Sequence, residues 1–201
     1  MKPDQRIFAG VVFALLFIFP HVVLAQCESQ AELFLNHPNQ KTYVELLDSS
    51  AGHLRSDCKD FLLQPTVNDR HLQYVEVNDR LLQSVEIGNK WSIGVLTDVI
   101  DILDGGDLED AHRALGVSLE NNPKALLRLH AKSKIDSYTL TRSAYMLPLS
   151  LVDNESGELS RLRKRLDILS KVDSPDLVAS RDIAISALKD ALKDKSPLPS
   201  P

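Results

Sequence analysis

Five aspartates recur at every third residue, Asp98, Asp101, Asp104, Asp107 and Asp110, with Glu109 beside the last and Gly105-Gly106 in their midst. Carboxylates around a glycine turn are what a hard cation such as Ca²⁺ takes, and Asp104, Asp107 and Asp110 are the candidate ligands. The spacing argues against such a site. An EF-hand loop alternates its ligands and closes on a distal glutamate, whereas a step of three does neither. Asp98 and Asp101 fall within a helical pattern and point away from a turn. Asp107 followed by Asp110 reads instead as a helix cap in the manner of a capping box, with the other carboxylates solvated. The expectation is therefore no bound metal.

Nucleophile patterns fare no better. Ser56-Asp57-Cys58-Lys59 and Ser186-Ala187-Leu188-Lys189 both satisfy S-x-x-K, but the S-D-N and K-T-G partners of penicillin-recognising enzymes are missing. Around Ser92 the nucleophile-elbow pattern fails because Lys90 stands where a glycine is required. His37, His53, His71, His112 and His130 show no H-x-x-x-H spacing and read as surface or capped residues. No glycine-rich phosphate cradle is present, so no cofactor is expected. The basic run Arg161–Arg165 (RLRKR) reads as a solvated helix face, with Glu158 able to pair with Arg161 and Asp167 with Lys171. No catalytic residue emerges, and the chain reads as a non-enzyme.

The elements that would carry these residues are helices. The chain has 201 residues, 43% hydrophobic and 25% charged, with only 5% aromatic, values that suit helices packed on helices. A formal charge of −5 supplies no basic excess for nucleic acid. Lys2 and Arg6 precede an apolar run from Ile7 to Phe19, Pro20 breaks it, and Val23-Leu24-Ala25 offers a small residue before a cut. This is a secretory signal pattern, with cleavage expected between Ala25 and Gln26 and no stable membrane span afterwards. Gln26 before Cys27 argues against lipidation. Removal of residues 1–25 takes away Lys2, Arg6 and Asp4 and moves the charge from −5 to −6. The destination is then secreted or periplasmic, an oxidising setting in which Cys27 and Cys58 are expected to form a disulfide.

The pattern predicts a short helix over 28–36 ended by His37-Pro38, and a longer one from Gln40 to Leu63 carrying Cys58 on its buried face. A tandem duplication follows: VNDRHLQYVE at 67–76 and VNDRLLQSVE at 77–86 agree at eight of ten positions. It reads as a lengthened connector, since ten residues leave a helix out of register with itself. Gly88 is placed to end a helix. Asn89 caps a helix over 90–103, Gly105-Gly106 ends it, Asp107 caps the next through Glu120, and Asn122-Pro123 opens a third. Further helices are predicted over 137–147, 158–172 and from Ser174-Pro175 onward. SPLPSP at 196–201 is a disordered tail.

The expected architecture is all-α: about seven to nine helices in antiparallel hairpins, without significant β-sheet, forming one domain over 26–195. The helix-pair rhythm from 67 to 195 resembles HEAT-type repeats in organisation, with an irregular helical bundle as the other form. Such repeats imply a surface offered to partners. The functional expectation is an exported, non-enzymatic protein that binds an unknown protein partner in the cell envelope, an inhibitor or immunity-type role being its sharper form. The alternatives are an envelope enzyme assembled from dispersed Asp and His residues, and a scaffold.

Overall fold

The computed structural model describes residues 27–48, 54–56, 58–59 and 79–195, and the elements among them are helices joined by turns, with no strand. The signal segment, the first copy of the duplication and the C-terminal tail lie outside the described residues. The chain divides into two compact units, residues 1–77 and 78–201.

In the first unit, residues 27–36 form α1 and Gln40–Leu46 form α2. Asn39 opens α2 with a reciprocal cap: its side chain accepts from the Lys41 and Thr42 amides, and its own amide donates to Thr42 Oγ1 at 3.1 Å. Ala31, Phe34 and Leu46 are fully buried here. Cys27 and Cys58 stand at disulfide-bonding distance with Cα atoms 5.4 Å apart, inside the range such a bond needs. The long helix expected over 40–63 is not formed. Leu47 leaves helical geometry at ψ 148°, and Leu47 makes an isolated antiparallel bridge to Leu54. Ser49, Ser50 and Gly52, all poor helix formers, follow directly in sequence.

The second unit begins with α3 over 79–86, which buries Leu81 and Val85. It ends in a Schellman turn: Asn89 N–H donates to Ser84 O, Gly88 N–H to Val85 O, and Gly88 takes the left-handed φ of +83° that favours glycine. Helix α4 (Lys90–Val99) starts at once, capped by Asn89, whose Oδ1 accepts from the Trp91 and Ser92 amides at 2.9 and 3.2 Å. Asn89→Ala should lower unfolding free energy by about 1 kcal/mol, measurable by urea titration, and a loss within error would deny the cap its role.

After α4 a 3-10 turn, Ile100–Ile102, runs to extended Leu103 and Asp104. Helix α5 then spans Gly105–Asn121. Gly105-Gly106 therefore begin a helix instead of ending one, and Asp104, not Asp107, is the N-cap residue. The reversal is completed by the two extended residues, so the glycines fall in the first turn, where amides lack helical acceptors in any case. Helix α6 is Pro123–Ala131, α7 is Ser137–Tyr145 with Asp136 as cap, α8 is Glu155–Ser170 capped by Asn154, and α9 is Val178–Asp194. Helix α8 thus starts three residues before the predicted position, because the Asn154 side chain accepts from the Gly157 amide.

Helix α5 packs against α6, α7 and α8, and α9 packs against α6, α7 and α8. Helices distant in sequence share contacts, as in an irregular bundle, whereas a solenoid joins only neighbours. Two asparagines at the α5–α6 junction fasten the α3–α4 turn: Asn121 Nδ2 donates to Glu86 O at 2.6 Å, and Asn122 Nδ2 to Gly88 O at 2.9 Å.

Candidate functional site

Two polar constellations lie in the second unit, one buried and one open. The buried one follows a stripe along α5 formed by His112, Gly116 and Glu120, each one helical turn from the next. His112 is 1% exposed, and its Nδ1 lies 3.0 Å from Ser143 Oγ on α7. The Tyr138 ring meets it edge-on with centroids 6.3 Å apart. Burial first, and the nearby Arg142 guanidinium second, push the His112 pKa down to about 4 against a weaker opposing pull from Asp136. His112 is therefore a neutral imidazole at physiological pH. One turn on, α5 and α7 approach so closely that a Cβ on Gly116 would stand 2.6 Å from Ser143 O. This position needs glycine.

Arg165 of α8 fills the far end of the stripe. It is completely buried. Its Nη1 donates to Ala144 O at 2.6 Å and Met146 O at 2.9 Å, with Ser143 O at 3.3 Å, so it caps the C-terminal carbonyls of α7. Its Nη2 donates to Glu120 Oε1 at 2.9 Å, and Arg161 Nε reaches the same oxygen at 2.6 Å. Lys164 Nζ lies 3.6 Å from Glu120 Oε2. Burial lowers the Arg165 pKa from its ordinary value and Glu120 opposes this. The basic run is thus not a uniformly solvated face. The predicted Glu158–Arg161 pair is replaced, since Glu158 pairs with Lys195 and Arg161 turns to Glu120. The predicted Asp167–Lys171 pair forms, at 2.5 Å.

The open constellation lines a cleft of about 510 Å³ at the α6–α7 turn and the end of α4. Asp101, His130, Ser133, Lys134, Asp136 and Ser137 supply its polar groups, and Ile100 and Ile135 its apolar ones. His130 is held at both ring nitrogens, with Nδ1 2.8 Å from Ser180 Oγ on α9 and Nε2 3.1 Å from Ser137 Oγ. Of the surface or capped histidines the sequence suggested, both His112 and His130 are capped by serine hydroxyls. Asp136 accepts from the Thr139 amide at 2.7 Å. That bond lowers its pKa, with the adjacent His130 a smaller contributor. Ser133 ends α6 in a Schellman turn with φ +55°. A non-glycine residue there costs about 1 kcal/mol. Gly88 ends α3 in the same geometry without that cost, so the cleft keeps a hydroxyl where the backbone would favour glycine.

The structure separates the aspartate series. Asp101 lines the cleft, Asp104 is the N-cap residue of α5, Asp107 is exposed in its first turn, and Asp110 Oδ1 accepts from Arg113 Nη1 at 2.8 Å. Among the described residues no group of three His, Cys, Asp or Glu side chains is placed to hold a metal ion. Ser186 and Lys189 are exposed on α9. The residues that sequence reasoning missed are Ser137 and Ser180, which lie 7 and 50 positions from His130, a spacing no motif describes. Comparison with protein-family models, curated proteins and solved structures found no match to this chain.

Proposed function

We propose that this is an exported helical protein that acts by binding a protein partner in the cell envelope, with an inhibitor or immunity-type role as the specific form. The observation that carries this reading is a pair of exposed apolar side chains next in sequence to residues that line the cleft. Ile102 follows the cleft-lining Asp101 and is 56% exposed; Tyr138 stands between the cleft-lining Ser137 and Thr139 and is 62% exposed. Exposed apolar side chains are what a partner's interface core seats upon, and tyrosine is among the residues that dominate binding energy. The signal pattern of residues 1–25 supports export, and the mature charge of −6 favours a partner of opposite sign. Among the described residues no helix is long and apolar enough to cross a membrane.

Immobilised protein should retain a partner from envelope extract, and Tyr138→Ala should weaken that retention at least about tenfold, the loss of one hot-spot side chain. A monodisperse monomer that captures nothing specific, or capture indifferent to Tyr138→Ala and Ile102→Asp, would rule the reading out.

A second reading, an envelope enzyme whose site is assembled from dispersed residues, draws on one observation: His130 joins two serine hydroxyls at the wall of a cleft.

A further inference from the structure

We propose that Ser137 is a base-activated nucleophile for acyl transfer, with His130 as its base and carboxylic esters of small acyl groups as the substrate class; this rests on the second reading above. The geometry supplies three linked parts. The nucleophile is the exposed Ser137 hydroxyl at the first position of α7. The base is His130 Nε2, 3.1 Å away. The orienting group is the buried Ser180 hydroxyl, 2.8 Å from Nδ1. A nucleophile within hydrogen-bond reach of a base that a third group fixes is the arrangement by which serine is activated in unrelated folds.

In the tautomer with its proton on Nδ1, His130 donates to Ser180 Oγ, and Nε2 accepts from Ser137. Ser137 Oγ then bonds to the ester carbonyl carbon as its proton passes to Nε2. The tetrahedral adduct collapses with cleavage of the bond to the alkoxy oxygen, and the imidazolium returns its proton to that leaving group as the alcohol departs. Water repeats the sequence on the acyl-serine. Its proton goes to Nε2, its oxygen bonds to the acyl carbon, and the carboxylic acid leaves as Ser137 recovers its hydrogen. Asp136, next in the chain to Ser137, lines the same cleft. Ile100 and Ile135 offer an apolar wall for the acyl chain, and a volume of about 510 Å³ is within the range of small-molecule sites. His112 cannot serve as the base, because it is buried against Ser143.

The full folded chain is to be incubated with a fluorophosphonate, with adducts located by peptide mass mapping, and separately with p-nitrophenyl acetate. A single adduct on Ser137, absent in Ser137→Ala, is the expected result. His130→Gln should slow its formation about 100-fold or more, the scale of general base catalysis. Ser180→Ala should slow it less, with the rate restored by Ser180→Thr, which returns the hydroxyl. Circular dichroism should be unchanged in the exposed Ser137 variant. An adduct elsewhere, with ester hydrolysis surviving Ser137→Ala, would overturn the assignment to Ser137 while leaving an enzyme. Neither adduct nor hydrolysis would overturn both.

Discussion

Arg165→Ala should lower the unfolding free energy by about 3–5 kcal/mol, since two carbonyls lose their donor at about 1–3 kcal/mol each and Glu120 keeps only the more exposed Arg161 and Lys164. Glu120, whose side chain is 2% exposed, would lose its fully buried counter-ion, and the α7 carbonyls of Ala144 and Met146 would lose their donor. Arg165→Lys should recover little, because one ammonium on a flexible stem cannot span the carboxylate and the carbonyls that a planar guanidinium bridges. The paired replacement Glu120→Met with Arg165→Met separates two contributions. Apolar side chains often replace a whole buried ion pair without loss. Here the carbonyls would still lack donors, each costing about 1–3 kcal/mol, so the double variant should remain less stable than the natural chain. Urea denaturation of the three variants and the natural chain measures this. Loss below about 1 kcal/mol in Arg165→Ala would mean that water reaches the slot.

Acidification from pH 6.5 to pH 4 should remove about 3 kcal/mol through His112 alone, at 1.36 kcal/mol for each pH unit. In the folded chain burial holds its pKa down to about 4, against 6.5 for the free side chain. Below pH 6.5 the unfolded chain therefore binds a proton that the folded chain refuses. The stability contribution is complete above pH 6.5 and is lost as pH falls toward 4. Asp136 stays out of this window, because hydrogen bonding lowers its pKa from 3.8. Burial raises the Glu86 pKa from 4.5, so its protonation acts in the opposite direction as pH falls, and the informative quantity is the difference from His112→Gln, an uncharged polar replacement. Urea midpoints at pH 7 and pH 4.5 should fall more steeply for the natural chain than for the variant. Parallel slopes would show that His112 takes its proton in place.

The caps were the most legible part of the sequence. Gly88 and Asn89 end one helix and begin another where their chemistry predicts, and Asn122-Pro123 likewise opens α6. Those signals are local, set by backbone groups within a few residues of the side chain. Asp107 misled because Asp104, three residues earlier, offered an equally good start, and only the extended backbone at Leu103 decides between them. Arg165 was legible in principle. It shares a helical face with Leu162 and Leu169, both fully buried, and a lone charge on an apolar stripe calls for a partner. Within RLRKR, the charged neighbours of Arg165 mask that one inward position. The His130 cluster had no local signal, since bringing Ser180 to His130 requires α9 to cross α6, a tertiary contact that no periodicity encodes.

The Glu120–Arg165 pair spans 45 residues. During synthesis at roughly 5–20 residues per second, Glu120 emerges several seconds before its counter-ion exists. Until then α5 can be sealed into the bundle only by burying an unpaired carboxylate, so closure of the second unit waits for α8. The buried pair that locks the finished fold thereby ties the burial of α5 to the docking of α8.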